Sequence, residues 1–228
     1  MSAPDAVKGG FSMLEILYEN EDCYLCRKDP GMTCGGGGAR DILTALTAYG
    51  GAPVYPVHRL DTGTGGVYCV ARTSSMAARL SLAFSRQGAD SVHKEYLCVV
   101  SGCPEQEEGV MEDLLLYLPS AGKSFVTNRA RHGTKLARLS YRVLRTSECN
   151  DAPCSLVRAV LETGRTHQVR VQFASRKMPL FGDRKYGSRE KCTYAGIALW
   201  SHRLVLPGGI EAVCPPPAVH PWSLFAEN

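Results

Sequence analysis

Ala137-Arg138-Leu139-Ser140-Tyr141-Arg142-Val143 alternates apolar and polar residues without interruption. Successive side chains of a strand point to opposite faces, so Ala137, Leu139, Tyr141 and Val143 share one face and Arg138, Ser140 and Arg142 the other. A period of two marks a half-buried strand. Val157, Ala159 and Leu161 continue the pattern in the next strand.

Residues 13–18, 23–28, 54–60, 67–72, 96–100 and 197–206 also read as strands. Helices are predicted over 41–49, over 74–87 with Ser74 as N-cap, and over 166–175 with Val169 and Phe173 on one face. Residues 103–113 read as an acidic loop, and 1–13 as a flexible N-terminal tail. Many strands and few helices predict an α+β fold with a mixed, largely antiparallel sheet and flanking helices. No internal repeat or linker divides residues 14–228, which are expected to form one domain.

The chain has 228 residues, 44% of them apolar and 21% charged, which excludes wholesale disorder, collagen and coiled coil. It has no apolar run of about 18 residues, so no transmembrane helix is predicted. The first twenty residues lack a basic segment followed by an apolar one, and cytoplasmic residence is the expectation.

The net charge of +4 says less than its distribution. Residues 123–145 carry seven Lys or Arg and no acid, and residues 165–191 carry eight more against Asp183 and Glu190. Acids gather at 15–22 and 105–113. A segregated basic surface can hold a polyanion through phosphate contacts and counterion release.

Ten cysteines are many for a cytosolic chain, but Cys23 and Cys26 form a lone CxxC with no second close pair, so no zinc site is expected. Gly122-Lys123-Ser124 fails as a phosphate-binding loop, because Tyr117 stands where that motif needs glycine. The glycines at 63, 65 and 66 do not make a dinucleotide fingerprint. Neither a metal nor a nucleotide cofactor is expected.

Three segments carry chemistry: 58–66 (HRLDTGTGG), Lys94-Glu95-Tyr96, and 164–170 (GRTHQVR) followed by 182–187 (GDRKYG). Asp61 enters a glycine-rich loop, where backbone can approach a ligand closely. Taken together, these segments resemble the RluA-type family of RNA pseudouridine synthases. That family reads HRLDxxTSG, GRTHQIR and GDxxYG at the corresponding places, and residues 16–31 resemble its opening YEDxxLLVVNKPAG. The chain departs from the pattern at Asp29 (family Pro), Gly65 (family Ser) and Trp200 (family His). With thirteen residues ahead of the first strand, it resembles the short members without an RNA-binding module of the S4 type.

The resemblance implies a pseudouridine synthase catalytic fold acting on RNA, in ribosomal or transfer RNA stem-loops, without a cofactor; for a single domain a monomer is the simplest expectation. It implies Asp61 as the catalytic carboxylate, Arg165 as its ion-pair partner and Tyr96 as the active-site tyrosine. Burial raises a carboxyl's pKa and a nearby guanidinium lowers it, so a reactive carboxylate in a pocket needs such a partner. Arg59 would fill the space left by a flipped base, and Val169 would lie under that base. Arg170, His58 and Lys94 complete the implied RNA-binding set. The alternatives are a non-catalytic RNA-binding protein that keeps the fold, and a glycosidase-like enzyme pairing Asp61 with Glu95 or Glu162.

Overall fold

The computed structural model of the chain describes residues 14–193 and 196–226, so the tail expected over 1–13 lies outside the described residues. Eleven strands form one sheet. In chain order they are β1 (Glu15–Glu19), β2 (Cys23–Lys28), β3 (Tyr55–Pro56), β4 (Gly65–Ala71), β5 (His93–Ser101), β6 (Glu108–Leu118), β7 (Lys123–Thr127), β8 (Thr134–Cys149), β9 (Ala152–Leu161), β10 (Leu199–Val205) and β11 (Glu211–Val213). The helices are α1 (Ile42–Gly50), α2 (Ser74–Ser85) and α3 (Gln168–Ser175). Spatial order is β1-β2-β4-β10-β5-β9-β8-β6-β7, with β3 added to β4 and β11 to β10. Only β4 with β10 is parallel, so the sheet is mixed and largely antiparallel, as the sequence pattern predicts.

The central strands are buried on both faces, which is why they read as apolar runs rather than alternations. In β2, Cys23 and Leu25 enter one core with α2 residues Leu80 and Ala83, Trp200, Trp222 and Phe225. Tyr24 and Cys26 enter the opposite core with Ile42 and Leu46 of α1, Val169 and Phe173 of α3, and Tyr96. In β8 the alternation holds, with Ala137 and Leu139 fully buried.

Local chemistry sets the helix starts. Asp41 caps α1, its Oδ1 accepting the Leu43 and Thr44 amides while Oδ2 takes the Gly35 amide (2.7 Å) and the Thr33 hydroxyl (2.8 Å). One carboxylate thus ties the loop of four glycines to the helix. The cap of α2 is Thr73, one residue before the predicted Ser74.

Two expectations need correction. The strand predicted over 54–60 shrinks to β3, because Pro53 and Pro56 have no amide to donate to a ladder. The acidic loop predicted over 103–113 is in its second half the start of β6, paired antiparallel with β8. Register sets Glu108 opposite Arg142 and Glu112 opposite Arg138, and both pairs form ion pairs (3.3 and 3.2 Å). Acidic and basic segments that look separate along the chain partly neutralise each other across the ladder.

Candidate active site

Asp61 stands in a turn closed by the Thr64 amide on the Asp61 carbonyl (2.9 Å). Lys28, fully buried at the end of β2, aims its ammonium into that turn. It donates to the carbonyls of Thr64 (2.6 Å), Asp61 (3.3 Å), Thr62 (3.4 Å) and Asp29 (3.3 Å). Carbonyl oxygens converging on one cation fix the path of the loop that presents Asp61. Gly66 closes the turn at φ +109°, where an added Cβ would sit 2.2 Å from the Ser201 carbonyl oxygen, so only glycine lets β4 run against β10 here.

The guanidinium that meets Asp61 belongs to Arg170, not Arg165. Arg170 lies in the first turn of α3, and its Nη1 donates to Asp61 Oδ2 at 2.6 Å. Its Nε and Nη2 donate to the two oxygens of Asp183 at 2.7 and 2.9 Å, a bidentate clamp on a side chain 1% exposed. Burial opposes the Arg170 charge, but the Asp183 clamp outweighs it and the guanidinium pKa is raised. Arg165 sits just before α3 begins, turned the other way, and its Nε donates to the Leu136 carbonyl (2.8 Å). The helix starts between the two arginines of GRTHQVR and separates their directions.

On its other side Asp61 Oδ2 lies 3.7 Å from Nε2 of His167. Among the described residues, no donor is hydrogen-bonded to Oδ1. The other buried carboxylate of the cluster, Asp183, is spent on Arg170, Glu162 pairs with Arg138 at 3.1 Å, and Glu95 faces His93 at 3.9 Å. Among the described residues no second free carboxylate stands beside Asp61 for the paired chemistry of a glycosidase.

A cleft of about 640 Å³ opens where β5 begins and β9 ends. Arg59, Lys94, Tyr96 and Arg165 line it, with Phe84 and Leu136. Arg59 is exposed and makes no ion pair among the described residues. Tyr96 is 8% exposed, and burial, reinforced by the Asp61 charge, raises its phenol pKa and holds it protonated. Lys94 is buried, with the Phe84 carbonyl 3.4 Å from Nζ, and burial followed by the Arg165 charge lowers its pKa. Val169 packs in the same core cluster as Tyr96 and Leu60.

His58 lines the same cleft, with its ring nitrogen committed to the protein. Its Nε2 accepts the Cys69 amide (3.0 Å) and its ring stacks on Phe84 at 4.2 Å. Burial, then the Lys94 charge, pushes its pKa down to about 3, so it is a neutral prop under the cleft wall.

The sequence reading missed Lys28, Asp183, His167 and Tyr186 as site residues. All four lie inside the segments that carried the resemblance, but nothing local says which side chains turn inward. Of the basic stretch 123–145, Arg138 and Arg142 are neutralised by β6, whereas Arg129, Arg131 and Lys135 are exposed. Lys123 sits 4.7 Å over the Tyr186 ring, and Lys185 donates to the Gly122 carbonyl (3.0 Å), which puts both cations close to the Asp61 cluster. Among the described residues no group of His, Cys, Asp and Glu could hold a metal ion.

The profile of the family described as RNA pseudouridylate synthase matches residues 22–175. The chain belongs to the RNA pseudouridylate synthase family. An uncharacterized RNA pseudouridine synthase of Zymomonas mobilis is 39% identical over 149 residues, covering 65% of this chain and 64% of the relative. A ribosomal large subunit pseudouridine synthase D of Xylella fastidiosa is 34% identical over 202 residues, covering 80% and 54%. The chain thus spans between about half and two thirds of the length of these curated relatives. Human RNA pseudouridylate synthase domain containing 1 superposes with a TM-score of 0.77 at 22% identity, over 93% of this chain and 87% of that one. Human domain containing 4 gives 0.71 at 24%, over 89% and 88%. The fold is therefore the pseudouridylate synthase fold, and the RluA-type relationship read from the motifs agrees with the C- and D-type ribosomal large subunit names among the relatives.

Proposed function

We propose that this chain isomerises uridines in structured RNA, of ribosomal or transfer type, to pseudouridine. The observation that carries the reading is the carboxylate of Asp61, held by one oxygen on an Arg170 that Asp183 clamps, within a segment the pseudouridylate synthase profile covers.

The reaction breaks the N1–C1′ bond of uridine, turns the base and joins C5 to C1′. The C5 hydrogen leaves as a proton and N1 takes one up, so atoms and electrons balance without a cofactor. Breaking the glycosidic bond leaves positive charge at C1′ and negative charge on the base. An ionised carboxylate can share the positive charge or bond to the carbon that carries it. With Oδ2 engaged by Arg170, Oδ1 is the oxygen turned to the reaction.

The target base must first leave its stack, at a cost of a few kcal/mol. Arg59, unpaired and planar, suits the vacated space, and Tyr96 suits a wall against the uracil ring. Tyr96, held as a neutral phenol, serves by contact and hydrogen bonding rather than as a phenolate. Lys94 and Arg165, facing one cleft, and Lys123, Arg129, Arg131, Lys135 and Lys185 suit the phosphates of the flanking strand. A monomer in the cytoplasm is the simplest setting for this work.

RNA carrying tritium at uridine C5, made in cells lacking the gene, tests the reading. The wild-type protein should release tritium to water, and Asp61→Asn should release none while still binding the RNA. Absence of release by the wild-type protein would overturn the reading.

A further inference from the structure

His167 occupies a left-handed backbone position just before α3, where its carbonyl accepts the Val171 amide (2.9 Å) but its side chain gives nothing to the helix. Its φ of +57° lies in the left-handed region that side chains disfavour, and its ring makes no capping bond to α3. The side chain takes no part in capping the helix, so its contacts lie elsewhere. The ring is 12% exposed and has a polar neighbour at each nitrogen. Nε2 lies 3.7 Å from Asp61 Oδ2, and Nδ1 lies 3.0 Å from the hydroxyl of Tyr186. The edge of Tyr117 on β6 closes a third side, with ring centroids 6.4 Å apart.

Tyr186 decides which nitrogen carries hydrogen. Its hydroxyl accepts the Ser124 amide of β7 at 2.8 Å and has one hydrogen to give, with His167 Nδ1 at 3.0 Å and the Ser124 carbonyl at 3.2 Å as takers. If the hydrogen goes to the carbonyl, Nδ1 must donate to Tyr186, and a neutral ring turns a bare Nε2 lone pair on the Asp61 carboxylate. If it goes to Nδ1, Nε2–H points at the carboxylate. The second arrangement is the attractive one, and it uses the shorter contact.

We propose that His167 is a positioning residue for Asp61, its Nε2–H steering Oδ2 alongside Arg170 while Tyr186 fixes the tautomer. Two donors on one oxygen, from different directions, hold Oδ2 and leave Oδ1 without a protein donor among the described residues. The gap of 3.7 Å is longer than a hydrogen bond, and free active sites commonly draw such contacts in when substrate arrives. Through Ser124 the chain of contacts reaches β7, whose Lys123 also lies against Tyr186, so RNA held at that edge can settle the carboxylate. This role rests on the isomerase reading above.

Asn and Gln separate the two nitrogens. His167→Asn tolerates the left-handed backbone and can still meet Tyr186, but it cannot reach Asp61. His167→Gln puts an amide donor where Nε2–H was. The measurements are single-turnover tritium release from C5-labelled RNA, filter binding of the same RNA, and Tm. His167→Asn should slow release by about 10²-fold, the scale of a misplaced reacting group, with RNA affinity and Tm near wild type. His167→Gln should recover most of that rate. Tyr186→Phe should slow release several-fold, and should add nothing in the His167→Asn background. Release by His167→Asn within twofold of wild type would overturn the inference while leaving the isomerase reading intact. So would equal losses in the Asn and Gln variants, or losses that simply multiply. No release by the wild-type protein would overturn the isomerase reading itself, and this inference with it.

Discussion

Gly65 on β4 stands directly opposite Trp200 on β10 in the one parallel pair of the sheet, and a Cβ at position 65 would lie 2.2 Å from the indole ring. These are two of the three places where the motifs depart from the RluA-type pattern, and they meet in space. The indole is fully buried and donates Nε1–H to the Cys214 carbonyl at 2.9 Å. The larger ring on β10 and the missing side chain on β4 are a matched exchange of volume behind the Asp61 loop.

Gly65→Ser should therefore destabilise the protein by about 1–3 kcal/mol, the usual scale of overpacking a tight core. Restoring the family pair, Gly65→Ser with Trp200→His, should cost clearly less than the sum of the two single changes. Denaturant melts of the four proteins measure the difference, and additive losses would deny the exchange.

The two arginines of GRTHQVR should behave differently. Arg170→Lys breaks the clamp on Asp183 and the contact to Asp61 together, and should lower tritium release by about 10²-fold or more. Arg165→Lys keeps a cation in the cleft and should act mainly on RNA affinity. Rates and binding constants measured for both variants check this, and equal rate losses would return Arg165 to the carboxylate.

His58 ties stability to pH. Its folded pKa of about 3 lies below that of an unfolded histidine near 6.5, so the unfolded chain takes up the proton first. The contribution is fully present above pH 6.5 and declines as pH falls from there toward 3, by at most about 1.4 kcal/mol per pH unit. Unfolding free energies at pH 7 and pH 5 should converge in His58→Gln relative to wild type. An unchanged difference would mean the imidazole is not held neutral.

RNA binding should weaken steeply with salt, and the slope should depend on which cations are free. Arg129→Ala and Arg131→Ala should each lower the slope by about one unit if they contact phosphate. Arg142→Ala, whose charge is already matched by Glu108, should change it little. Filter binding across a salt series reads this directly, and a flat response in the wild-type protein would contradict a phosphate grip.

The alternation over 137–143, the apolar runs of the other strands and the motif order were enough to determine an α+β sheet of this family and to single out Asp61 and Tyr96. Those features are local: a period of two, a glycine-rich turn and a fixed string of residue types survive in one dimension. Three-dimensional packing was needed to place Arg170 rather than Arg165 against Asp61, because the direction of each depends on where α3 begins and on Asp183 arriving from thirteen residues further on. It likewise decided that residues 108–113 form a strand whose acids cancel part of the basic stretch, since charge along a chain says nothing of register across a ladder. Lys28, whose ammonium meets the carbonyls of a loop more than thirty residues away, was hidden for the same reason: an electrostatic contact depends on distance through space, which a string of residues does not contain.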